Sequence, residues 1–154
     1  MSLKTDPTDR KILVELQKNA RLTNLELAER IGLSPSSCLR RVKALEQSKI
    51  IRDYVTRIDA ERMGFARSIY VQITLRTQQG DALADFERAV GKIPEVMECC
   101  LMAGSADYLL RLRVRDMDDY ERVHLRGLTQ LPNVERVYTQ FVVRDVLRRN
   151  ALPL

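Results

Sequence analysis

Through roughly the first fifty residues the apolar positions recur every three or four places, and from residue 69 onward runs of strict alternation take turns with runs of helical period. The first stretch divides into three helices. Asp6-Pro7-Thr8-Asp9 opens one of them: an Asp caps free N–H groups, Pro7 suits the first helical position, and Asp9 lies near the positive end of the dipole. Ile12, Leu13, Leu16 and Ala20 mark its apolar face. Thr23-Asn24-Leu25-Glu26 is a capping box, with Leu22 and Leu27 at the two positions of a hydrophobic staple, and Leu27, Ala28 and Ile31 line the inner side of the second helix. Gly32 stands where a left-handed C-terminal cap needs a residue without Cβ, and Leu33 turns back into the core. Ser34-Pro35 then starts a third helix whose single apolar stripe is Cys38, Val42 and Leu45.

The outer face of this third helix carries Ser36, Ser37, Arg40, Arg41 and Lys43. A short helix, a glycine turn and a second helix with small hydroxyls followed by cations is the sequence form of a helix-turn-helix. Small side chains let the helix enter the major groove, and arginine forks pair with guanine edges or phosphates. The candidate DNA contacts are therefore Ser36, Ser37, Arg40, Arg41 and Lys43, together with the caps Thr23 and Ser34. Arg41 has a second reading, as a structural partner of Glu46. A solvated helix face would also carry a few cations, but caps, staple, glycine turn and small-then-basic order occur here together. Ile50 to Ile58 alternates around Tyr54, Val55 and Thr56, which predicts a strand or a two-stranded wing from which Arg52 and Arg57 reach phosphate.

Asp59 to Gly64 is short, polar and ends in glycine, and so reads as a hinge. The expected division is a DNA-binding domain over 1–58, a hinge over 59–65 and a second domain over 66–154. In the second domain Ile69, Val71, Ile73 and Leu75 alternate with polar residues, and Leu83, Phe86, Val90 and Ile93 follow at helical spacing. A strand begins at Val96, a turn falls at Ala103-Gly104-Ser105, and Tyr108 to Val114 is a third strand with Leu110 and Leu112 on one face. Met117, Tyr120, His124, Leu128 and Leu131 resume the helical period. Ile93-Pro94-Glu95-Val96 and Leu131-Pro132-Asn133-Val134 end the two helices alike, so the unit is a duplicated β-α-β. The fold class is α+β: a winged helix-turn-helix followed by a ferredoxin-like βαββαβ domain. Its sheet leaves one face open, including Tyr70, Gln72, Leu109 and part of Cys99 to Met102, and that apolar mixture predicts pairing with a second copy.

Composition adds little to this picture and excludes several classes. Lys plus Arg number 26 against 21 Asp plus Glu, a net charge of +5, which is a mild basic bias. No apolar run approaches a membrane span and the N-terminus lacks a signal-peptide core, so a cytoplasmic protein is expected. Cys38, Cys99 and Cys100 have neither zinc spacing nor an even count, and His124 is the single histidine. No metal, cofactor or catalytic residue is predicted. A thiol switch through Cys99 and Cys100 is disfavoured because neighbouring strand residues point to opposite faces.

With both halves in view the chain resembles the Lrp/AsnC family, the feast/famine regulators, from Asp6 to Leu154. The resemblance is carried by Asp6 to Asp9 with Ile12-Leu13, by Asn19-Ala20-Arg21-Leu22-Thr23-Asn24, by Leu33-Ser34-Pro35-Ser36 with Arg41 to Glu46, and by Met102-Ala103-Gly104-Ser105-Ala106-Asp107-Tyr108-Leu109-Leu110. It implies a transcription regulator that binds double-stranded DNA, dimers built on the second domain's sheets and often larger oligomers, and amino-acid effectors. In similar proteins the effector sits near the turn between the second and third strands. The positions implied here are Leu101, Met102, Ala103, Gly104, Ser105, Asp107 and Tyr108, with Gly104 letting backbone N–H groups approach a carboxylate and Asp107 pairing with an ammonium. Gly104-Ser105 reads equally as a plain hairpin turn. Two positions depart from the family: Thr5 replaces a common Leu, and Lys49 a common Gly. Two other functions compete, an effector-free DNA-compacting protein of the same fold and a siroheme-decarboxylase-like enzyme, for which His124 alone offers acid-base chemistry.

Overall fold

A computed structural model describes residues 5–154, which form two compact units: 58–146, and 5–57 together with 147–154. In the helical unit α1 (Pro7–Lys18), α2 (Asn24–Ile31) and α3 (Pro35–Gln47) pack around Ile12, Leu27, Ala28, Cys38 and Leu45. Each helix begins on the cap its sequence predicts. Asp6 accepts from the Asp9 backbone while Asp9 reaches back to the backbone of Asp6, and Thr23 and Glu26 make the same reciprocal pair. Ser34 caps α3 through the Ser37 N–H, and Gly32 adopts a left-handed conformation with φ of 71°. The start of α1 is thus held by polar groups, and Thr5 in place of an apolar residue leaves it intact.

Two expectations for this unit change. Residues 50–58 form no strand: Ile50 and Ile51 pack under the helices, but Val55 stands 77% exposed and, among the described residues, no second strand lies beside it. A strand needs a ladder partner, and alternation alone supplies none. Tyr54 ties the segment to α3 instead, its hydroxyl donating to Glu46 at 2.9 Å. Residues 147–154 lie with the helical unit rather than with the sheet, and both backbone groups of Leu152 bond to the Gln17 side-chain amide.

The second unit contains β1 (Arg67–Leu75), α4 (Ala82–Val90), β2 (Val96–Leu101), β3 (Tyr108–Val114), α5 (Met117–Arg126) and β4 (Val134–Phe141), with a 3-10 turn at Leu128–Gln130. The sheet is antiparallel in the order β2-β3-β1-β4, which is the ferredoxin-like arrangement. Ile69, Val71 and Ile73 of β1 and Leu110 and Leu112 of β3 share a core with Phe86, Val90, Tyr120 and Val123 from the helices. The presumed hinge is part of this unit: the Phe65 N–H donates to Ala60 O and Gly64 adopts a φ of 86°, so 59–65 is a closed turn. Among the described residues no helix is long and apolar enough to cross a membrane.

Candidate functional sites

The outer side of α3 presents Ser36, Arg40 and Lys43, all exposed, and among the described residues neither cation has a carboxylate partner. Ser37 is half-buried in the first turn. Thr23 and Ser34 use their side-chain oxygens as caps. Asn24 binds the start of α2 to the start of α3 by donating its amide to Pro35 O at 2.8 Å, which sets the two helices of the motif against each other.

Arg41 is placed differently from the other cations of α3. One nitrogen of its guanidinium donates to Asp6 at 2.7 Å and to Asp9 at 2.8 Å, both at the start of α1. Asp6 is held below the ordinary carboxylate range, first by the Asp9 backbone N–H and then by Arg41. Glu46, the partner expected from sequence, is taken by Tyr54. Arg41 therefore clamps the start of α1 to α3, which supports a structural role for it over base reading. Leu39 was missed by the sequence reading. It lies one position past the Cys38 stripe, next to Arg40 on the outside, and is 43% exposed; the phase of the stripe was the available signal.

At the other candidate site, Leu101, Met102, Ala103, Gly104 and Ser105 are all exposed. The loop closes where the Met102 N–H donates to Asp107 O, and the Asp107 N–H to Ile73 O. Asp107 does not present a free carboxylate. It accepts from the Leu75 backbone N–H at 2.6 Å and from the Gln78 amide, fastening the turn to the end of β1. Tyr108 is a core residue at 1% exposure, stacked on Phe86 at 4.4 Å and donating its hydroxyl to Glu87. The side-chain polar atoms of both residues already have partners within the chain, which argues against direct effector contact by them. Gly104 has no positive φ, and a Cβ built there meets nothing within 4 Å. The turn itself does not require glycine at that position.

The open face of the sheet bears Tyr70, Gln72, Leu109, Arg111 and Cys100, as the register of β1, β2 and β3 dictates. Arg111 is buried and donates to Glu98 at 2.6 Å, while its second terminal nitrogen is buried without an acceptor among the described residues. Cys99 points to the opposite face from Cys100, and partial burial pushes its thiol up to about 11, so at neutral pH it is protonated. His124 is half-buried against the Tyr120 ring and hydroxyl, a packed residue on α5.

Comparison with known proteins bears on both units. The family model of the Lrp/AsnC ligand binding domain matches residues 68–152, and a winged helix-turn-helix DNA-binding model matches residues 5–52. The Bkd operon transcriptional regulator of Pseudomonas aeruginosa is 40% identical over 97% of either chain. The leucine-responsive regulatory protein of Escherichia coli is also 40% identical, over 96% of this chain and 90% of that one. Among solved structures, the complex of a Neisseria meningitidis transcriptional regulator with L-Met superposes with a TM-score of 0.92 at 38% identity, covering 97% of each chain. An AsnC-family transcriptional regulator from Agrobacterium tumefaciens reaches the same TM-score at 31% identity. These relatives are transcriptional regulators, not enzymes, which removes the decarboxylase-like reading. The chain belongs to the Lrp/AsnC family of DNA-binding transcriptional regulators.

Proposed function

We propose that this regulator reads operator DNA with the outer face of α3 and is controlled by a small amino acid bound at the turn 101–105. Ser36, Leu39, Arg40 and Lys43 form the reading face, Arg40 taking a base edge, Leu39 a thymine methyl group and Lys43 a phosphate. Thr23, Ser34 and Ser37 bring N–H groups and hydroxyls at two helix starts to the phosphate backbone. The active species is a dimer formed through the open sheet face, where a second copy supplies the acceptor that the buried Arg111 nitrogen lacks. The site of action is the cytoplasm, where the DNA is.

The effector reading rests on one observation: Gly104 is glycine at a place where neither backbone conformation nor crowding demands it. A close-approaching ligand carboxylate gives that choice a physical reason, with Leu101 and Met102 offering apolar contact and Ser105 a hydroxyl. The Neisseria relative's complex with L-Met supports an amino acid as the ligand class. A thermal-shift screen of the DNA-free protein against the twenty amino acids tests it, since a ligand at 100 times its Kd adds about 2.7 kcal/mol of stability. A selective rise identifies the effector, and a flat response to all twenty favours the DNA-compacting alternative. Footprinting tests the DNA half: a dimer should protect half-sites one helical turn or a multiple apart, and protection without that period counts against it.

A further inference from the structure

We propose that the sheet unit carries a second ligand site, remote in sequence from the turn 101–105, that takes a small carboxylate with an apolar body and no ammonium group. The closed turn 59–65, the start of β2, the end of β3 and the start of α5 together line a half-open cavity of about 530 Å³. That volume is in the range of small-molecule sites. Met63, Phe65, Pro94 and Met97 supply apolar walls. Met63 and Met97 are 63% and 47% exposed, and two flexible thioethers beside a hollow adapt readily to an apolar guest.

The polar groups of the cavity select the head of that guest. Arg122 is neutralised by Glu95 at 2.5 Å and by Asp119 at 2.6 Å. Arg113 pairs with Asp145 and donates to Phe65 O. Arg115 is left: its guanidinium lies 5.4 Å from the centre of the Phe65 ring and, although Asp119 is near enough to act on it through charge, it makes no direct ion pair among the described residues. The two carboxylates are committed to Arg122, and Asp119 also accepts the Arg115 backbone N–H just ahead of α5. Among the described residues the cavity thus offers one cation outside any direct ion pair and no carboxylate outside one. Charge complementarity favours an anionic head, and the absence of a free acceptor disfavours an added ammonium.

Calorimetric titration of the full-length protein with 3-phenylpropanoate, 3-phenylpropan-1-ol and 3-phenylpropylamine tests the assignment. The acid is expected to bind at least about tenfold more tightly than the alcohol, the usual gain from a hydrogen bond to a charged group, with the amine weakest. Arg115→Gln should bring the acid down to the alcohol's affinity. Met97→Glu, which sets a negative charge at the wall, should abolish acid binding. Both side chains are exposed, so both variants should keep the fold, and circular dichroism checks that. The proposal is overturned by equal binding of acid and alcohol, by an amine that binds as tightly as the acid, by unaltered acid affinity in folded Arg115→Gln, or by no binding of the acid at all.

Discussion

Replacing Lys49 by glycine should stabilise the protein and weaken its hold on DNA. Lys49 follows the last turn of α3 at φ of 60°, and its N–H closes the helix on Glu46 O at 3.0 Å. A left-handed conformation costs a residue with Cβ about 1 to 2 kcal/mol, and glycine escapes that cost. Glycine gives back roughly 0.5 to 1 kcal/mol through its greater freedom in the unfolded chain. The expected net gain lies between about 0 and 1.5 kcal/mol, with a midpoint of roughly 0.75 kcal/mol, which for a small domain raises Tm by roughly 3 to 6 °C. A lysine held in this strained conformation calls for a compensating role. Lys49 is exposed and has no carboxylate partner among the described residues, which suits a phosphate contact. Calorimetric melting of the DNA-free protein gives the first quantity. Titration of labelled operator at several salt concentrations gives the second, and loss of one phosphate contact should lower the slope of log K against log salt by about one. A variant no more stable than the parent would refute the strain argument. An unchanged salt slope would take Lys49 off the phosphate backbone.

Arg40→Ala should cost about 1 to 3 kcal/mol on the operator and relax preference at one base position, whereas Lys43→Ala should weaken all DNA alike; competition against scrambled duplex separates the two. Arg41→Met should lower Tm at neutral pH. Because Asp6 is depressed in the folded state, the stability it contributes is present above its unfolded value, about 4, and is lost as pH falls through the folded value. The Tm difference between parent and variant should therefore shrink in acid, and a difference constant down to pH 2 contradicts the clamp. Asp107→Ala should destabilise by about 1 to 3 kcal/mol, since it strips the buried Leu75 N–H of its acceptor; urea unfolding measures this, and an unchanged midpoint rejects that role. Gly104→Ala should leave the unliganded Tm within error while erasing any effector-induced shift, and a drop in the unliganded Tm would return the glycine to the turn.

The parts of this molecule that were legible in its sequence are those made by residues close together along the chain. The capping boxes at Asp6 and Thr23, the cap at Ser34 and the left-handed Gly32 each join groups no more than five residues apart, so spacing and residue type determine them. Strand alternation and helical stripes are equally local, and the duplicated β-α-β led from them to the sheet order. The wing segment at 50–58 marks the limit of that reasoning, since alternation is half of a strand and the other half is a neighbour.

Tertiary structure decided what the polar side chains are for. Arg41 looks the same as Arg40 in sequence, but α1 brings two carboxylates to it from 32 and 35 residues away. Asp107 and Tyr108 look like ligand contacts until β1 and α4 occupy their polar atoms. The cavity beside Arg115 has no signature along the chain at all, because its walls come from four separated segments. A charged side chain acts through whatever opposite charge or acceptor it meets. Sequence determines that meeting only within about one helical turn, and beyond that the fold determines it.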